Sequence, residues 1–326
     1  MLLSEAIEGL AIATKVDGRS PRTVKDYQQK LGYLLNFLGD VDVSTITTQD
    51  LRRYVADLMD RPRYKEHHRC SPQADGLSPF TVAGYIRALK RLFNWLVEEE
   101  VISTNPAQRL KTPSPKRLTQ KAIAHADLVA LLNTTTSDAL LDCRDRAVIL
   151  FLADTGCRVG GLCGLTLQDL DLEKGLATVT EKGEATRRLC FTPLTAAALR
   201  EWLDVRPAAE TDALFLALGT WGAGRSPMST RGVSQMLARR AKRAGIEGAV
   251  NPHSFRHAFA RDFLMNGGDL GTLADLLGHS SVLVTKQFYG IFTVEELQEK
   301  HAQHSPIAHL FGEEGESDGS RNDGNF

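Results

Sequence analysis

Residues 251–281 read NPHSFRHAFARDFLMNGGDLGTLADLLGHSS. Two helices are legible in this stretch, SFRHAFARDFLMNG and LGTLADLLGH, with Gly267 and Gly278 at their ends as C-terminal caps. Arg256 follows His253 by three residues, which puts both on one helical face near the start of the first helix. His279 comes directly after the glycine that closes the second. The segment VLVTKQFYG (282–290) then brings in Tyr289. Taken alone, a tyrosine among apolar residues is core material, and HSFRH is a surface patch or a buried network.

The flanking sequence continues the helical pattern. LTAAALREWL and STRGVSQMLARRAKRAG precede the pair as helices, the latter closed by Gly245, and TVEELQEKHAQH follows. Further upstream, HADLVALLNT and CRDRAVILFLADTG also read as helices, with Arg158 at the tight junction TGCR between the latter and the next helix. Between these groups, GLATVTEKGEATRRLCFTPL alternates and holds Lys182-Gly183, the signature of a β-hairpin or small sheet.

The first third differs. After Ser20-Pro21, Leu31, Leu34, Leu35 and Leu38 recur at the spacing of one buried helical face. TTQDLRRYVADLM gives another helix, with Thr48 as its N-cap. Residues 60–77 form a loop, and a helix beginning near Ser78-Pro79 buries Ile86, Leu89, Phe93 and Leu96. A short turn ends at Asn105-Pro106. Strand signals are nearly missing, so a bundle of four or five helices is expected. About twenty residues precede the first long helix, too few for a separate arm-binding domain.

The fold class expected is mostly α with a small β-sheet. The expected domains are a helical one over 1–110, a basic linker over 111–121 within RLKTPSPKRLTQK, a mixed α/β domain over 122–311, and a disordered acidic tail over 312–326.

Composition narrows the class. The chain has 326 residues, 42% hydrophobic and 24% charged, ordinary for a globular protein of two domains. No apolar run is long enough for a membrane span, and the first residues, with Glu5 and Glu8, do not resemble a signal peptide. Five scattered cysteines without a CxxC pair read as reduced thiols in a cytoplasm. His67, His68 and Cys70 are the one metal-like cluster, and they lack a second ligand pair, so no metal is expected. The net charge is −1, but the last fifteen residues carry −4 of it, leaving residues 1–311 about +3. Two helical stripes concentrate the positive charge: Arg87, Lys90 and Arg91 in one, and Arg239, Arg240, Lys242 and Arg243 in the other. Such stripes suit phosphate contact, though many are solvated faces.

Two arginines, a lysine and two histidines, without a carboxylate pattern for Mg²⁺, suit a phosphodiester. Arginine forks neutralise its oxygens. Without a metal, the protein itself must supply nucleophile and proton donor.

In order, Arg158, Lys182, His253-x-x-Arg256, His279 and Tyr289 resemble the tyrosine recombinase family, the phage-integrase and Xer type of site-specific DNA recombinase. LFLADTGCRVGGLCGLTLQDLD resembles that family's first arginine box, residues 251–281 its second, and TEKGEATRRLCFTPLT its hairpin lysine segment. The resemblance implies an N-terminal core-binding domain that clamps duplex DNA and an α/β catalytic domain. It implies that Tyr289 attacks the scissile phosphate to form a 3′-phosphotyrosyl bond. Arg158 and Arg256 would then hold the non-bridging oxygens, and Lys182 would protonate the leaving 5′-oxygen. His253 would assist proton transfer at the tyrosine, and His279 would donate a hydrogen bond to the phosphate. Neither cofactor, metal nor ATP is implied. The partners implied are duplex DNA with a specific site and three further copies in a tetramer, with PIAHLF (306–311) as an arm for a neighbouring subunit. A type IB topoisomerase-like enzyme or a DNA-binding partner without catalysis are the alternative readings.

Two differences from the family pattern stand out. Gly161 occupies the position where R-x-x-E has its acid, and ten residues instead of nine separate His279 from Tyr289, a surplus assigned to a loop in SSVLVTK.

Overall fold

The computed structural model describes residues 1–61, 76–113, 122–180, 186–219, 226–248, 250–279, 281–289 and 294–304. The chain divides into two compact units, Met1–Leu118 and Thr119–Phe326.

The first unit holds four α-helices among its described residues: α1 (Leu3–Val16), α2 (Pro21–Leu38), α3 (Thr48–Asp60) and α4 (Pro79–Glu98). Helix α1 departs from the expectation that little precedes the first long helix. Its stripe of Leu3, Ala6, Ile7, Leu10, Ala11 and Thr14 is buried, at the spacing of an amphipathic helix. Ser20 and Ser78 cap α2 and α4, each accepting from the backbone N–H three residues on, with proline in the first turn. Helix α3 is capped by Thr47, one residue before the expected Thr48, in a capping box with Asp50. Leu31, Leu34, Leu51, Tyr54, Ile86, Leu89, Phe93 and Leu96 fill the core.

The second unit surrounds a three-stranded antiparallel sheet with helices. The sheet comprises β1 (Leu170–Asp171), β2 (Leu176–Thr180) and β3 (Thr186–Cys190), in the order β1-β2-β3. Strands β2 and β3 pair from Leu176↔Cys190 to Thr180↔Thr186, as the alternating pattern predicts. Ala177, Val179 and Leu189 face the core. Two two-residue strands, β4 (Leu216–Ala217) and β5 (Ser226–Pro227), form a second pair. Around them lie α5 (His125–Asn133), α6 (Leu140–Thr155), α7 (Val159–Gly164), α8 (Pro193–Val205), α9 (Thr230–Arg243), α10 (Pro252–Met265), α11 (Leu270–Leu277), α12 (Val282–Tyr289) and α13 (Val294–His304). Trp202, Phe151, Phe215 and Phe255 are fully or almost fully buried in its core.

Helix α12 corrects the sequence reading, which placed a loop before Tyr289. Residues 282–289 are helical, so a helix spans most of the ten-residue interval after His279. A satellite cluster of Ala260, Leu264, Leu273 and Leu277, with Tyr289 packed against it, joins α10, α11 and α12. Among the described residues, no helix is long and apolar enough to cross a membrane.

Candidate active site

Three junctions bring the site together. Helix α6 ends at Gly156 in the left-handed conformation (φ 58°, ψ 21°). A Cβ there would lie 2.5 Å from Phe259 Cδ1, so the turn requires glycine both for its backbone and for space. This turn delivers Arg158 to the N-cap position of α7. Helix α11 ends at Gly278, also left-handed (φ 63°, ψ 48°), with Arg187 Cδ 2.7 Å from where its Cβ would be. Directly after it comes His279. Asn251 caps α10, accepting from the N–H groups of His253 and Ser254, and Pro252 opens the first turn, so the helix holds Arg256 inward one turn later.

Arg256 is 4% exposed. Its guanidinium donates to the carbonyls of Gly156 (2.9 Å) and Leu277 (2.8 Å) and lies 2.9 Å from His279 Nε2. Burial lowers its pKa from the ordinary value; Tyr289, with which it shares a hydrogen bond, opposes that shift. Arg158 is half-buried, and its pKa is lowered first by burial and then by the neighbouring charges of Arg256 and Arg187. Such a crowd of guanidiniums favours an incoming anion.

His279 is held on both nitrogens, since Nδ1 lies 2.7 Å from the hydroxyl of Thr285. Burial, followed by Arg256, Arg158 and Arg187, lowers its pKa to about 4, so the ring is neutral near neutral pH. Tyr289 closes the group from the end of α12. Its ring lies parallel to His279 (6.1 Å between centroids, 3° between planes) and edge-on to His257 (5.0 Å, 60°). It packs against the satellite core on one side and faces the cations on the other.

His253 is exposed in the first turn of α10, and its charge is felt at His257, whose pKa is lowered chiefly by burial. Lys182 lies outside the described residues; the flanking strands pair Thr180 with Thr186. His67, His68 and Cys70 also lie outside them.

Three further residues belong to this group. Arg187 on β3 donates to the carbonyl of Leu276. It shares the inward face of its strand with Leu189, two residues on, and that alternation was its available signal. Thr285 and His257 sit four residues before Tyr289 and after His253, the spacing of helical neighbours. At Gly161 the backbone is buried, and an added Cβ would stand 3.2 Å from Cys157 Sγ and 3.5 Å from Val179 Cβ. Backbone carbonyls, not a carboxylate from that position, hold Arg256.

The basic stripes divide. Arg239 is exposed towards the end of α9, and Lys242 and Arg243 are exposed in its last turn, where cations also complement the helix dipole. Arg240 is a correction. It lies on the inward stripe with Val233, Met236, Leu237 and Ala241, 7% exposed, and bonds Asp145 (2.8 Å), Asp142 (2.7 Å) and the Thr134 carbonyl (2.6 Å). Its charge is neutralised inside the fold, so it leaves the set of DNA-contact candidates. On α4, Arg87 is exposed and Lys90 half-buried, while Arg91 pairs with Asp17 (3.3 Å) and Glu98 (3.1 Å).

The phage integrase family matches residues 121–293, and the phage integrase SAM-like domain matches residues 7–112. The chain belongs to the phage integrase family. Its activity is that of a tyrosine-type site-specific DNA recombinase. The family member is 33% identical over 273 residues to tyrosine recombinase XerC of Shigella flexneri, covering 83% of this chain and 85% of that protein. A XerC of Alcanivorax borkumensis is equally similar, 33% over 275 residues, with 83% of each chain covered. Among solved structures, the Tn1549 transposon integrase in complex with a circular intermediate DNA superposes with a TM-score of 0.70 at 21% identity, covering 91% of this chain and 98% of that one. A lambda integrase dimer bound to a core site gives 0.68 at 18% identity, covering 89% and 95%. These two likenesses concern the fold.

Proposed function

We propose that this recombinase cuts and rejoins duplex DNA with Tyr289 as nucleophile. The phenolic oxygen forms a bond to the scissile phosphorus, and the bond from phosphorus to the 5′-oxygen breaks, its electron pair leaving with that oxygen. Lys182 gives the leaving oxygen its proton, and His253 assists removal of the phenolic proton. Arg158 and Arg256 neutralise the non-bridging oxygens as charge develops on them, and His279 donates to one of them. The 3′-phosphotyrosyl bond keeps the energy of the diester, so a 5′-hydroxyl reverses the step without ATP.

The observation that carries this reading is Tyr289 itself, hydrogen-bonded to Arg256 and stacked on His279 beside two further arginines. A phenol has a pKa near 10, and adjacent positive charge is the physical means of making it a nucleophile.

In this reading, residues 1–110 form the DNA-clamping domain, 111–121 a linker, 122–311 the catalytic domain and 312–326 an acidic tail. Arg87, Lys90, Arg91, Arg239, Lys242 and Arg243 contact phosphates, Arg91 after release from its ion pairs. The partner is duplex DNA carrying a specific site, supported by the DNA complexes of the structural neighbours. The assembly is a homotetramer on paired sites, with residues 306–311 reaching a neighbouring copy. Unpaired cysteines at 143, 157, 163 and 190 fit a cytoplasmic location.

The test uses nicked duplex fragments prepared from the source genome, on which the cut is trapped because the short 5′-strand diffuses away. The native protein should become covalently attached to DNA 3′-ends, and Tyr289→Phe should not. Tight DNA binding by the native chain without any adduct would favour a binding-only partner.

A further inference from the structure

The two hydrogen bonds of His279 have directions fixed by its partners. A guanidinium has donors only, so the 2.9 Å contact from Arg256 Nη2 makes Nε2 the acceptor. The ring is neutral, and its one proton then sits on Nδ1, which donates to Thr285 Oγ1 at 2.7 Å. Thr285 is fully buried, 0% exposed. It lies on α12 four residues before Tyr289, about one helical turn. Arg256 in turn shares a hydrogen bond with Tyr289. The contacts therefore close a circuit from Arg256 through His279 and Thr285, along one turn of helix to Tyr289, and back to Arg256.

We propose that Thr285 is a positioning residue for strand cleavage: its hydroxyl accepts from the Nδ1–H that Arg256 imposes on His279 and latches the tyrosine-bearing helix to the arginine cluster. The proposal deepens the reading of Tyr289 as nucleophile and rests on it. Nothing in the sequence motif marks this threonine. A valine there would have nearly the same shape but no acceptor, leaving Nδ1–H without its partner and α12 tied to α11 by packing alone. Displacements of about an ångström at a reacting group cost on the order of a hundredfold in rate.

A neutral His279 with its lone pair at Nε2 can donate to a phosphate oxygen only after a proton is added there. Arg158 of α7, Arg187 of β3 and Arg256 of α10 oppose that proton in the DNA-free protein, and Tyr289 of α12 is the other titratable group facing the ring. A bound phosphodiester brings the compensating negative charge. Cleavage by the native protein should therefore be accompanied by proton uptake at Nε2, while Nδ1–H stays on Thr285.

The experiment combines ring-nitrogen NMR of ¹⁵N-histidine-labelled, DNA-free protein with adduct formation on the nicked genomic fragments. His279 is assigned by loss of its signals in His279→Gln. The native protein should show a protonated Nδ1 and an unprotonated Nε2 at neutral pH. Thr285→Val should shift the Nδ1–H signal and expose its proton to solvent exchange, and slow adduct formation roughly tenfold to a hundredfold, with DNA affinity unchanged. Thr285→Ser should restore both, and its cleavage should show the native pH profile. A native Nε2–H tautomer would overturn the proposal, as would a native rate and a native Nδ1–H signal in Thr285→Val. The NMR arm needs no DNA, so the Nδ1–H comparison of native protein, Thr285→Val and Thr285→Ser decides the proposal even if the native chain forms no adduct. That latter result would count against the nucleophile reading alone.

Discussion

Arg256 is held from several sides in the site. Two carbonyls fix its guanidinium, and it reaches both His279 and Tyr289. Arg256→Lys keeps the charge but loses the planar fork, and should slow adduct formation on the order of a hundredfold or more; a native rate would remove Arg256 from phosphate neutralisation. His279 yields a pH prediction. Its folded pKa, about 4, lies below the ordinary 6.5, so the unfolded chain takes the proton first as pH falls. The contribution of neutral His279 to stability is complete above about pH 6.5 and is lost progressively down through about pH 4. Urea unfolding across that window should show a shallower decline in His279→Asn, and an identical decline would contradict the burial of this ring among cations. At this scale the sequence disclosed the order of Arg158, His253, Arg256, His279 and Tyr289, because motif spacing survives in one dimension. Thr285 and Arg187 were hidden because their partners, His279 and the Leu276 carbonyl, come from other elements.

Elements account for both the success and the errors of the sequence reading. Glycines at 156 and 278 and proline at 252 mark helix ends by local backbone chemistry, and those boundaries were legible. Helix α12 was not: it is short, and its β-branched Val282, Val284 and Thr285 argue weakly for helix. It is held instead by the His279–Thr285 bond and the packing of Tyr289. Arg240 was misassigned because positive charge was counted without regard to helical face. Its inward position builds a buried network in which Asp145 also accepts from Arg144 at 3.0 and 2.6 Å. Asp145→Ala should leave two buried guanidiniums under-compensated and cost about 3–5 kcal/mol in thermal or urea unfolding. Lys242→Ala, exposed two residues after Arg240 on α9, should fall within about 0.5 kcal/mol of native. Equal stability of the two variants would show that the network carries no load.

Across the whole molecule, the net charge of −1 concealed a DNA-binding protein because the acidic tail offsets cations elsewhere. The helical class of the first third and the small sheet of the second unit were legible from periodicity. The exposed cations should be visible as salt dependence. Alanine at Arg239 or Lys242 should lower the slope of log affinity against log salt by about one each, whereas Arg240→Ala should lower stability instead. A slope unchanged in the first two would move the DNA-contacting face elsewhere. The central claim, that the tyrosine at the end of α12 carries the covalent link, is met most directly by mass spectrometry of the trapped complex after nuclease and protease digestion. A nucleotide 3′-phosphate should be found esterified to the peptide containing Tyr289 and to no other. A phosphodiester link mapped to any other residue, with Tyr289 unmodified, would contradict it.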